Sequence, residues 1–197
     1  MSLDILGRLN WVDIFLCLIL VRAVYIGLRS GFVIELFKLL GIFFAVFISL
    51  HYFSGASHFL QEKVHLPSGP ADFASLGFLW SVVVLAFKFI REGIMLLFKV
   101  EAHSTLDSAG GFIASVVRGF LICSLATLLL RASAMEYFTN NIDNSLGAAK
   151  VVGIAPRVYE ATYQGFISKF FPSEEFNESV SSLANISEGQ EKKKGKK

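Results

Sequence analysis

Four long apolar runs, separated by polar stretches, set the pattern of this chain. The first runs from Trp11 to Leu28, with Asp13 near its start and Arg22 toward its end. The second, residues 32–53, carries Glu35 and Lys38 in its opening turns. The third covers about 73–92 and closes on Lys88, Arg91 and Glu92; the fourth covers about 109–130 and has Arg118 inside it. Each comes close to the roughly 20 residues that a helix needs to cross a bilayer. The pattern predicts an all-α integral membrane bundle of four transmembrane helices in residues 1–132. Trp11 and Tyr25 sit like interfacial anchors, and Arg22 reads as snorkelling to the headgroups.

The connections differ in length. Only Arg29 and Ser30 clearly part the first two spans, which makes a tight helical hairpin. Gly27 and Gly31 bracket it and read as a helix end and bend, in preference to a G-x-x-x-G contact. The stretch from Ser54 to Phe73 reads as a polar loop, with Pro67, Gly69 and Pro70 in irregular backbone. Residues 93–98 read as a continuation of the third helix along the membrane surface. Ser104 or Thr105 suits the cap of the fourth helix, and Asp107 suits its positive N-terminal end.

Small residues recur at intervals of four, one stripe on a helix. Gly41, Ala45 and Ser49 mark the second span; Gly111, Ser115, Gly119, Cys123 and Thr127 mark the fourth. Such stripes let helices approach closely in lipid, so the two are expected to pack on each other. Arg118 lies deep enough that it should face the bundle interior. Side chains lean toward their helix N-terminus, and the second and fourth spans start on the same side. Glu35 is therefore its first expected partner and Asp107 its second. A structural ion pair outweighs a transport role for this group.

Beyond the fourth span, residues 133–172 read as a membrane-associated amphipathic helical segment. Pro156 suits a first turn. Ala155, Val158, Tyr159, Thr162, Tyr163, Phe166, Ile167 and Phe170 form its apolar face, and Pro172 closes it. Residues 173–197 read from composition as a disordered basic tail ending EKKKGKK. The first run reads as an uncleaved span, since no A-x-A-like site follows it.

Composition agrees with lipid: 54% of the 197 residues are hydrophobic, and 20 are Phe. The net charge of +2, without a basic aromatic face, argues against a nucleic-acid partner. The two cysteines, Cys17 and Cys123, lie inside apolar runs, so neither a disulfide nor a metal role is expected. His51, His58 and His65 are spaced by seven and read as solvated or interfacial rather than zinc ligands. No G-x-S-x-G, H-E-x-x-H or P-loop occurs, so no catalytic residue, cofactor or enzyme activity is expected. Arg22, Arg29, Lys38, Lys88, Arg91 and Lys99 crowd the first and third connections, against Lys63 alone in the second. The positive-inside rule then puts both termini outside the cytoplasm.

The opening NWVDIFL, the turn RSGFVIELFKLLG and the segment LDSAGGFIASVVRGFL together resemble the CvpA family, the colicin V production protein family of bacterial inner membranes. The resemblance spans about residues 10 to 172. It rests on Asp13, Arg29, Gly31, Phe32, Glu35, Gly41, Asp107, Gly111 and Gly119, and on the segment that holds Ser145. It implies a multi-pass inner-membrane protein tied to toxin production and envelope homeostasis. Such a protein would work in the bilayer through protein partners or a homo-oligomer, without catalysis. The alternative implied by Arg118 and Glu35 is a small transporter or channel.

Overall fold

The computed structural model describes residues 10–97, 105–171 and 173–185, all helix or short turn. Among the described residues, four helices are long and apolar enough to cross a membrane: α1 (Trp11–Ser30), α2 (Phe32–Val64), α3 (Ser68–Leu97) and α4 (Thr105–Ala132). They run alternately up and down, so the starts of α2 and α4 share one end with the ends of α1 and α3. The opposite end carries a cap built from α5 (Glu136–Asn144), α6 (Ala148–Val151) and α7 (Ile154–Thr162). A π-helical turn (Tyr163–Ile167), α8 (Ser168–Phe170) and α9 (Glu178–Asn185) complete it.

Gly31 makes the first hairpin, because its φ of 76° is open to glycine and strained for other residues. Gly27 does something else, contrary to the turn expectation for both. It lies inside α1, where an added Cβ would come within 2.2 Å of Ser115 and 2.9 Å of the Gly111 carbonyl oxygen. Here α1 and α4 cross almost backbone to backbone. Gly27→Ala should destabilise the protein by about 1–3 kcal/mol through overpacking. Ser115→Gly should restore only part of the loss, because the Gly111 carbonyl stays in the way. Thermal melting of both variants in detergent micelles checks this.

The α4 stripe therefore meets α1, and the expected packing of the two small-residue stripes on each other is corrected. Gly111 abuts Gly27 and Gly31, Gly119 abuts Leu20 and Ala23, and the Cys123 thiol points at the Leu16 carbonyl oxygen at 3.6 Å. On the second span, Gly41 lies against Phe87 of α3, while Ala45 and Ser49 are fully buried. The reason is angular. Successive helical residues point about 100° apart. A helix that turns Arg118 toward α2 must turn Gly119, and the stripe through it, toward α1.

The expected loop after Phe53 is instead helix. α2 continues to Val64, 33 residues in all, or roughly 50 Å at 1.5 Å per residue. That exceeds a hydrocarbon core of about 30 Å, so its last turns extend past the membrane beneath the cap. No proline interrupts residues 54–64, and the helix stops only at His65, with φ of 58°, two residues before Pro67. α3 starts at once, with Gly69 and Pro70 in its first turn, and reaches Leu97 along the continuation expected for residues 93–98. Ser104, Lys99, Pro172 and residues 186–197 lie outside the described residues. Residues 173–185, read from composition as tail, instead pack on the cap: Val180 is buried, with Phe176 and Leu183 against the core.

Candidate functional site: an intramembrane ion cluster and a capped end

Glu35 lies one turn into α2 and is fully buried. Arg118, near the middle of α4, donates from Nε to Glu35 Oε2 at 2.9 Å and from Nη2 to the Ala23 carbonyl of α1 at 3.4 Å. Lys38, one turn beyond Glu35, donates from Nζ to Glu35 Oε1 and to Ser30 Oγ at 2.8 Å. Three helices are thus tied at one level by one carboxylate and two cations. Asp107 is not in this cluster; its Oδ1 accepts the Phe32 N–H at 2.6 Å and so caps the start of α2. Negative charge is favoured there by the helix dipole.

A cavity of about 460 Å³ opens beside the cluster, in the wedge between α2, α3 and α4. α3 packs along α2 and meets α4 only sparsely, which leaves this space. Phe37, Ile42, Trp80 and Val84 line its apolar part, and Lys38, Lys88, Arg91 and Arg118 line its charged part. Toward the cap, the bundle is filled by Val46, Leu50, Leu76, Leu125 and Leu128.

At the other end, Asp13 joins the start of α1 to the cap. Its carboxylate accepts from the Ser145 hydroxyl, from Gly147 N–H at 2.8 Å and Leu146 N–H at 3.4 Å, and from its own Asn10 N–H at 3.1 Å. Arg131, buried at the end of α4, pairs with Asp143 at 3.2 Å. His51 is buried rather than solvated: Nδ1 bonds the Tyr159 hydroxyl at 3.0 Å and Nε2 bonds Glu174 at 2.9 Å. Burial pushes the Tyr159 phenol above its ordinary value, so it serves as a neutral hydroxyl. That hydroxyl also accepts the Asn177 N–H at 3.1 Å, and the Asn177 amide donates back to the Leu50 carbonyl at 2.8 Å. His58 is exposed, 3.6 Å from Glu62, and His65 ends α2, so the three histidines do not converge. Among the described residues, no group of three His, Cys, Asp or Glu is placed to hold a metal.

The expected amphipathic segment packs on the bundle through Ala155 and Tyr159, both fully buried. Its far end turns outward, with Phe166 in the π-helical turn and Phe170 and Phe171 beyond it exposed. The capping partners Ser145, Gly147, Glu174 and Asn177 carry no motif by spacing. A signal for Ser145 and Gly147 is Asp13, an acid at the start of an apolar run that needs donors from elsewhere; no such signal marks Glu174 or Asn177.

Four spanning helices, a shared intramembrane carboxylate and a folded post-membrane cap define a multi-pass helix-bundle membrane protein. The chain belongs to the Colicin V production protein family, whose model matches residues 12–156. The match includes Asp13, Glu35, His51, Asp107, Arg118 and Ser145, and ends before Tyr159, Glu174 and Asn177. Neither the search of curated proteins nor that of solved structures returned a match.

Proposed function

We propose that this chain is a non-enzymatic protein of the bacterial inner membrane that supports colicin V production and envelope homeostasis through partner proteins, with both termini outside the cytoplasm. The observation that carries this reading is that the deep carboxylate and its two cations tie three helices together. Arg118 and Lys38 share Glu35, and an apolar layer from Val46 to Leu128 separates that cluster from the cap. Such an interior suits a rigid scaffold, and the same layer weighs against a conducting path. The polar ties of the cap offer partners a fixed surface, on which Tyr137 is 65% exposed. Arg22, Arg29, Lys38, Lys88 and Arg91 at the opposite end support the orientation.

The test is deletion in a colicin V-producing strain, with photo-cross-linking from Tyr137 in the complemented strain. Loss of secreted toxin and a discrete cross-linked protein are expected; unchanged secretion, or ion flux by the purified protein in vesicles, would refute the reading. Orientation is checked with a membrane-impermeant thiol reagent in a Cys17→Ser, Cys123→Ser background. Gln164→Cys on the cap should label in intact spheroplasts, and Glu92→Cys at the end of α3 only after lysis.

A further inference from the structure

We propose that the wedge between α2, α3 and α4 is a binding site for one anionic phospholipid of the leaflet at the basic end of the bundle. Charge is the first argument. Lys38, Lys88, Arg91 and Arg118 meet at the cavity, with Glu35 and Glu92 the carboxylates paired to them. Four cations against two carboxylates leave an excess of positive charge facing an opening. Basic pockets between helices on the cytoplasmic side take anionic lipid headgroups in this way.

Shape is the second argument. The cavity lining extends from the cations to Trp80, which lies 11 residues before Arg91 on α3. That is roughly 16 Å along a helix, about half of a hydrocarbon core some 30 Å thick. A phosphate at the cations thus leaves its acyl chain running to the bilayer middle, along Ile42, Val84 and Ile122. A second hollow of about 550 Å³ shares Lys38 and Arg91 and widens the headgroup end. Its further walls include Met95 and Leu96, so the opening faces the membrane surface. A free anion would match the cations but leave the apolar walls unfilled, which favours the lipid.

The proposal concerns ligand binding and stands apart from any role in toxin production. The full chain, delipidated in neutral detergent, is offered phosphatidylglycerol, phosphatidylcholine or glycerol 3-phosphate, and bound species are counted by native mass spectrometry. One phosphatidylglycerol per chain is expected, with at least a tenfold preference over phosphatidylcholine. The Lys88→Gln/Arg91→Gln double variant should lose that preference. Val84→Trp should lose the bound lipid while keeping every charge. Arg22→Gln/Arg29→Gln, which removes exposed cations of the same leaflet outside the wedge, should bind as the wild type does. Helical content and melting temperature of each variant report folding. The proposal fails if phosphatidylcholine binds equally. It also fails if glycerol 3-phosphate binds as tightly as the lipid, or if the Arg22/Arg29 variant loses binding to the same extent.

Discussion

Arg118→Leu should destabilise the bundle by about 3 kcal/mol, the low end of the cost of removing one partner from a buried ion pair. The loss arises from what remains. Glu35 is fully buried, and without the guanidinium it keeps only Lys38 to offset the cost of holding a carboxylate away from water. Lys38 keeps the effect at the low end. Glu35→Gln should cost less, because both cations that it strands have an outlet: the side chains of Arg118 and Lys38 are 12% and 18% exposed at the cavity. The double variant Glu35→Leu/Arg118→Leu should recover most of the loss, since apolar residues often replace a buried pair at little cost. Reversible denaturation of these proteins in mild detergent, with the Glu35→Leu single variant added to close the cycle, gives the coupling directly. An Arg118→Leu protein within about 0.5 kcal/mol of wild type would mean that the pair behaves like a solvated surface pair.

Much of this cluster is legible in the sequence. A charge deep in an apolar run needs a partner at its own depth, and helix direction puts Glu35 at the right end. The angle of α4 about its own axis was implicit in that pairing, but it conflicted with the expectation that the small-residue stripe meets α2. That angle decides whether the small-residue stripe meets α1 or α2, and it follows from the Arg118–Glu35 contact rather than from the stripe. The length of α2 was hidden for another reason. Hydropathy falls at Ser54, but falling hydropathy marks a change of solvent, not the end of a helix. Backbone hydrogen bonding continues while no residue blocks it, so the end waits for the turn before Pro67. The cap was least legible. Its contacts join residues more than a hundred positions apart, such as His51 with Tyr159 and Asp13 with Ser145, and nothing in local spacing pairs them.

Asp13→Ala is expected to loosen the cap while leaving the four-helix bundle folded. Asp13 accepts from the Ser145 hydroxyl and from the backbone N–H groups of Gly147, Leu146 and Asn10. Alanine would leave those donors without that acceptor, the Ser145 hydroxyl in a buried position and the three N–H groups in partly buried ones. Each such group costs about 1–3 kcal/mol; because the Leu146 contact is long, a total near 3 kcal/mol is expected. Opposing release are the apolar contacts of Val12 and Leu16 with Ile142, Ala148 and Val151, a small cluster that alone does not specify the turn at Ser145. Ser145 also accepts the Ala148 N–H at 2.9 Å, so losing its own acceptor frees the start of α6 as well. The measurable result is trypsin cleavage after the exposed Lys150, faster in Asp13→Ala than in wild type, with the spanning helices still protected by micelles. Asp13→Asn, which keeps one acceptor oxygen, should fall between the two. Equal cleavage in all three proteins would mean that the apolar cluster, not the carboxylate, holds the cap in place.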